Sequence, residues 1–276
     1  MVDRALTYPA VEVCLVGLLA AVVGVHVVLR RRAFFTMAMT HATFPGVVLA
    51  SMLGLNLYLG GGVFGLIVVA GIAALDRRRG QDAAASTGVV LSAGFALGIL
   101  LVSMQPGFTK ELSGYLVGSV LTVQPADLAV TAGICAVVLT VFAVAGRALQ
   151  FAAFDPTGAT AAGYRVGLLN AVFLVAVELT VVTSVPAVGT MLSVALIVAP
   201  AATARLWTCS TRTMTVLAAV IGVGSGLCGL LVSQYVRLPA GAAITLIATA
   251  MLVGSLAVTG LRRTVGRSPR PVIAER

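Results

Sequence analysis

The chain has 276 residues, 59% of them hydrophobic and only 10% charged, and a mean hydropathy of +1.08, which leaves too few polar groups to clothe a water-soluble fold. Its net charge of +9 comes from arginines scattered over short segments without interleaved aromatics, which argues against a nucleic-acid surface. A polytopic membrane protein remains, and because period-2 alternation is absent it is expected to be an all-α helix bundle.

In chain order, apolar runs long enough to cross a hydrocarbon core of about 30 Å fall near 10–29, 35–55, 57–75, 86–104, 127–146, 166–185, 187–206, 213–233 and 239–261. The first resembles a leader in position only. Asp3 and Glu12 precede or interrupt it, and it ends in Arg30, Arg31 and Arg32 without a small-residue cleavage site, so it is expected to remain as a span. The run 187–206 carries Pro186, Gly189 and Pro200 and is expected to be broken or partial, so the count is about eight to nine spans. Small residues recur at Gly61/Gly65, Gly94/Gly98 and Gly222/Gly224/Gly226, which suits close helix contact. Cys14, Cys135, Cys209 and Cys228 have no C-x-x-C spacing and read as packing residues.

Basic residues orient these spans. Fifteen of the 18 Lys and Arg residues fall on one side of the nine-span arrangement, with Arg4, Lys110 and Arg237 opposite. The positive-inside rule then places the N-terminus outside and the C-terminus in the cytosol of a cell-membrane protein.

The chain lacks an engine of its own. A phosphate-binding loop needs a lysine after glycine, and the sole lysine, Lys110, follows Thr109 in PGFTKEL. H-E-x-x-H is absent, and neither His26 nor His41 makes an obvious pair with Ser225, so no hydrolytic centre is expected. His26, about one turn before the triple arginine, reads as an interfacial residue. Glu178 falls mid-span in VAVELTVV and is either a pathway residue or a protonated, hydrogen-bonded packing residue.

Two segments on the arginine side are more informative. In FDPTGATAAGYRVG, Asp155 is placed to cap a short helix whose first position is Pro156 and whose end is Gly163. Further on, an apolar run reaches Pro200 and continues through small residues to Arg205, Trp207 and Arg212, as an interfacial anchor or as a short helix offered to a cytosolic partner.

Together LRRRAFFTMAMTHATFPGVVLA (29–50), GYLVGSVLTVQPADL (114–128), FDPTGATAAGYRVGLLNAV (154–172), VGTMLSVALIVAPAATARL (188–206) and RLPAGAAITL (237–246) resemble the successive signature stretches of the zinc/manganese/iron branch of ABC importer permeases. The resemblance spans nearly the whole chain in order. It implies a type II importer permease domain over 1–261 with a basic cytosolic tail at 262–276. It also implies a homodimer or a pair with a related permease, a cytosolic ABC ATPase, and an extracytoplasmic metal-binding protein. Pro200, Ala201, Ala202, Thr203, Arg205 and Trp207 would form the ATPase-coupling helix, with the Asp155, Pro156 and Gly163 helix beside it. The transported divalent cation is cargo, and no stably bound cofactor is expected.

The family's opening signature reads Asp-Ala-Leu-Ser/Ala-His-Ala, and here the window is Met37-Ala38-Met39-Thr40-His41-Ala42. The histidine is kept and the carboxylate is replaced by a thioether, a poor ligand for zinc or manganese. The expectation is therefore His41 as a transient pathway ligand, with Met37 and Glu178 lining the route, and zinc ahead of manganese as cargo. The alternative is a stand-alone secondary metal transporter or channel.

Overall fold

The computed structural model describes residues 2–76, 83–104, 118, 120–236 and 238–265. Arg77, Arg78, Arg79, Lys110 and Arg237 lie outside the described residues, as does the expected tail beyond 265. The described residues form α1 (Val2–Leu29), α2 (Ala33–Ala42), α3 (Phe44–Met52), α4 (Leu57–Asp76), α5 (Ala83–Ser103) and a 3-10 turn at Val120–Thr122. They continue with α6 (Pro125–Phe154), α7 (Pro156–Ala161), α8 (Val166–Val188), α9 (Thr190–Trp207), α10 (Thr211–Val236) and α11 (Ala240–Val265). No strand occurs among them.

Helix α1 is the hub, packed against α6, α8, α9 and α10. Small residues set how close these helices come. A Cβ on Gly17 of α1 would stand 3.1 Å from the carbonyl of Gly222 on α10, so the two backbones touch there. One on Gly24 would run into the carbonyl oxygen of Ile197 on α9. Gly226 faces Val13, whereas Gly224 has nothing within 4 Å, so only two of the three glycines in this α10 run serve the contact. Gly61 meets Val47, Gly94 meets Ala42 and Gly98 meets Phe44, as the small-residue spacing anticipated. Leu19, Phe173, Leu174, Ile197, Leu230 and Ile244 fill the interior that results.

The second span is kinked. Thr43 ends α2 and opens α3, and Pro45 in the first turn of α3 has no N–H to give the carbonyl of His41 four residues earlier. Gly46 bonds back to Thr43 O at 3.0 Å, and the Thr43 hydroxyl donates to Met39 O at 2.9 Å, which caps the broken turn. A second break separates α8 from α9 at Gly189, whose φ of 95° lies where L residues are strained. The expected interruption of 187–206 thus occurs at Gly189 alone. Pro186 lies inside α8, and α9 runs unbroken through Pro200 to Trp207.

Among the described residues eight helices are long and apolar enough to cross a membrane, α2 and α3 together making one, and α9 adds a shorter apolar stretch, Ser193–Trp207. Its far end reaches the same face as the end of α1: Arg205 Nη1 donates to Val28 O at 3.4 Å. Arg30 there donates to Leu149 O of α6 at 2.8 Å and to Asn170 Oδ1 of α8 at 3.3 Å. The end of α1 at Arg30 and the end of α9 at Arg205 therefore lie together, beside the last turns of α6 and the first turns of α8.

His26 departs from expectation. It is 5% exposed, with Nδ1 3.1 Å from Val22 O and its ring 4.5 Å from that of Phe142, so it packs between α1 and α6 and not at an interface. All four cysteines are free.

Candidate functional site

A cleft of about 610 Å³ has walls from three elements distant in sequence: Met37 and His41 on α2, Val198 and Ala199 on α9, Thr249 and Leu252 on α11. Met37 and His41 are four residues apart, hence one turn apart on one face, and both line this cleft. Met37 is 45% exposed, so the cleft is open on the surface of the single chain. The His41 ring meets Phe95 of α5 edge-on, 5.6 Å between centroids, which orients the imidazole against an apolar wall. In this lining only His41 offers a strong metal donor. Met37 supplies a soft thioether and Thr249 a hydroxyl.

Glu178 is elsewhere. It is fully buried in α8, and its carboxyl lies against Gly65 of α4 and the Thr43 methyl at the α2–α3 kink. It does not line the cleft with Met37 and His41. Neither carboxyl oxygen has a hydrogen-bond partner among the described residues, so the hydrogen-bonded packing role is not seen either. A bare charge there would cost several kcal/mol, on the order of insertion and burial penalties.

On the arginine-bearing side the short helix forms as its residues demand. Gly158 N donates to Asp155 Oδ1 at 2.8 Å, Pro156 takes the first position, and the chain leaves through Gly163 at φ 86°. The end of α9 differs from a free coupling segment. Pro200, Ala201 and Thr203 are buried, Ala201 and Ala204 packing with Ala21, Val25, Met214 and Ala218, and Ala202 is half-buried. Arg205 and Trp207 are exposed, as are Cys209, Ser210 and Arg212 just beyond. The small residues after Pro200 are thus used to bring α9 against α1 and α10, and the tip of α9 and the α9–α10 turn stay exposed.

One buried acid escaped attention as a site residue. Glu12 on α1 is 1% exposed, its Oε1 accepts the Thr131 hydroxyl at 2.8 Å, and its Oε2 has no partner among the described residues. Thr131 sits one turn after Asp127, which caps α6 by accepting Gln124 N–H at 3.0 Å. The signal was present in PAVEVCL, an acid inside an apolar run. No group of three or more His, Cys, Asp or Glu side chains suited to holding a metal occurs among the described residues.

Residues 3–259 match the family model described as the ABC 3 transport family. The chain is 35% identical over 234 residues, 85% of its length and 83% of the relative's, to the manganese transport system membrane protein MntC of Listeria monocytogenes. It is 31% identical over 252 residues, 91% of its length and 90% of the relative's, to the manganese import system permease protein ScaB of Streptococcus gordonii. Among solved structures it superposes on a chain of PsaBC from Streptococcus pneumoniae in complex with Fab, with a TM-score of 0.82, 30% identity and 91% of both chains covered.

Proposed function

Because the chain belongs to the ABC 3 transport family, we propose that it is the membrane permease of an ATP-driven importer for a divalent transition metal, manganese ahead of zinc. This order reverses the expectation from the signature window alone. The relatives whose names print a substrate name manganese, and that support outweighs the coordination preference inferred from one missing carboxylate. A stand-alone carrier is disfavoured, since a family of ABC subunits leaves energy conversion to a separate ATPase.

The observation that carries the site reading is the shared cleft of Met37 and His41. In a homodimer, or a pair with a related permease, the open cleft faces a second subunit, and His41 with its counterpart supplies imidazole nitrogens to a cation that keeps much of its water. Incomplete coordination favours passage, because a conduit must release what it binds. The exposed tip of α9 around Arg205 and Trp207 couples to the cytosolic ATPase, with the Asp155–Gly163 helix beside it, and an extracytoplasmic metal-binding protein delivers the cation to the opposite face. The N-terminus is then outside and the C-terminus in the cytosol of the plasma membrane.

The test is reconstitution of the permease with its ATPase and receptor in liposomes, measuring ATP hydrolysis and uptake with manganese, zinc and iron in turn. Manganese should give the largest stimulation. Hydrolysis indifferent to all three metals would overturn the importer reading.

A further inference from the structure

Two glutamates are buried with an unpartnered carboxyl oxygen among the described residues, and their surroundings differ. Glu178 lies mid-span between Gly65 and the Thr43 methyl. Glu12 faces polar groups. The Thr131 hydroxyl donates to its Oε1, and Asp127 stands one turn before Thr131 on the same face of α6. Glu12, Asp127 and Tyr58, which sits in the first turn of α4, are within electrostatic range of one another. The group is therefore assembled from α1, α4 and α6. Asp127 and Tyr58 are half-buried at the starts of their helices, so the carboxyl of Glu12 lies just inside groups that reach the surface. Glu12 precedes Arg30 by 18 residues, about 27 Å along α1, which puts the group near the end of the bundle opposite that arginine.

A structural role accounts for the Thr131 bond, which ties α1 to α6. It does not account for the rest. As a carboxylate, Glu12 would hold a buried negative charge close to the charge of Asp127, and like charges in a poorly solvated place repel. As a neutral acid it would still leave Oε2 without a hydrogen-bond partner. A cation between the two acids removes both costs, because it satisfies the free oxygen and cancels the repulsion.

We propose that Glu12 and Asp127 together bind a hard divalent cation, with Thr131 orienting the Glu12 carboxylate and the Tyr58 phenol beside them. The bond from Thr131 leaves Oε2 of Glu12 free for the ion. Asp127 commits one oxygen, Oδ2, to the Gln124 N–H that caps α6 and can offer the other. These donors are all oxygen, which suits manganese, calcium or magnesium with water completing the shell. The His41 cleft is walled by α2, α9 and α11 and shares no residue with this site. In the importer proposed above, this is the place on the delivery side where the cation first sheds water before reaching His41. That role rests on the importer reading, and the binding itself does not.

The experiment titrates manganese into the full chain in detergent, without ATPase or receptor, and reads the free ion by its paramagnetic resonance signal. A His41→Ala background confines the reading to this site. In that background Glu12→Gln and Asp127→Asn each keep a side-chain oxygen for Thr131 or Gln124, and each should weaken manganese binding at least tenfold. Manganese should raise the unfolding midpoint of the His41→Ala chain by a few degrees and that of either double variant by much less. Should one variant fail to fold, the other carries the test. No manganese binding by the His41→Ala chain, or undiminished binding in the folded variants, would overturn the site. Binding that depends on Glu12 and Asp127 in a chain whose reconstituted complex hydrolyses ATP indifferently to metals would support the site and overturn only the importer reading.

Discussion

The carboxyl of Glu178 on α8 occupies the space that a side chain at position 65 on α4 would need, so glycine at 65 and glutamate at 178 are complementary choices. A Cβ at Gly65 would also stand 2.8 Å from the Thr43 methyl at the kink of the His41-bearing span. Gly65→Ala should therefore destabilise the bundle by about 1–3 kcal/mol, the usual cost of overpacking. In a Glu178→Ala background the same change should cost markedly less, because the displaced carboxyl is gone. Thermal unfolding of the four species checks this. Additive effects would mean that Glu178 yields without strain.

His41→Ala removes the strongest metal donor of the cleft without filling it. Metal uptake into proteoliposomes should fall at least tenfold while recovery of the ATPase complex stays normal. Met37→Asp places a carboxylate one turn from the imidazole and should strengthen manganese retention, since that ion favours oxygen. Wild-type uptake by His41→Ala would make the histidine structural.

Trp207→Glu and Arg205→Glu change exposed side chains at the tip of α9. Each should reduce co-purification of the ATPase several-fold and leave the unfolding midpoint of the permease nearly unchanged. Ala201→Glu, at a position with no exposure, should instead unfold the chain, since it buries an unpaired charge. Undiminished ATPase recovery in both tip variants would move the docking surface elsewhere.

Cys209 is a native, exposed thiol in the turn between Arg205 and Arg212. If the arginine face is cytosolic, a membrane-impermeant maleimide should label it in intact cells only after permeabilisation. A Lys110→Cys label should react from outside. The reverse pattern would invert the topology.

The spans, the Asp155 cap with its Gly163 exit, and the family were legible in the sequence because each rests on a property local to the chain. Apolar length, ordered signature stretches and the residue types that start and stop a helix need no knowledge of neighbours. Which face of each span turns inward was decided only by the tertiary structure. Lipid tails are as apolar as leucine, so hydropathy does not separate Leu19, wholly buried, from Val144, which is 82% exposed on α6. For the same reason His26 was placed at an interface and proved buried, and Pro200, Ala201 and Thr203 were read as presented to a partner and proved to be packing residues. The cleft joins α2, α9 and α11 across more than two hundred residues of chain. Backbone contacts such as Gly17 with Gly222 and Gly24 with Ile197 draw α1 against α10 and α9, and the shapes that decide such contacts exist only once the helices have met.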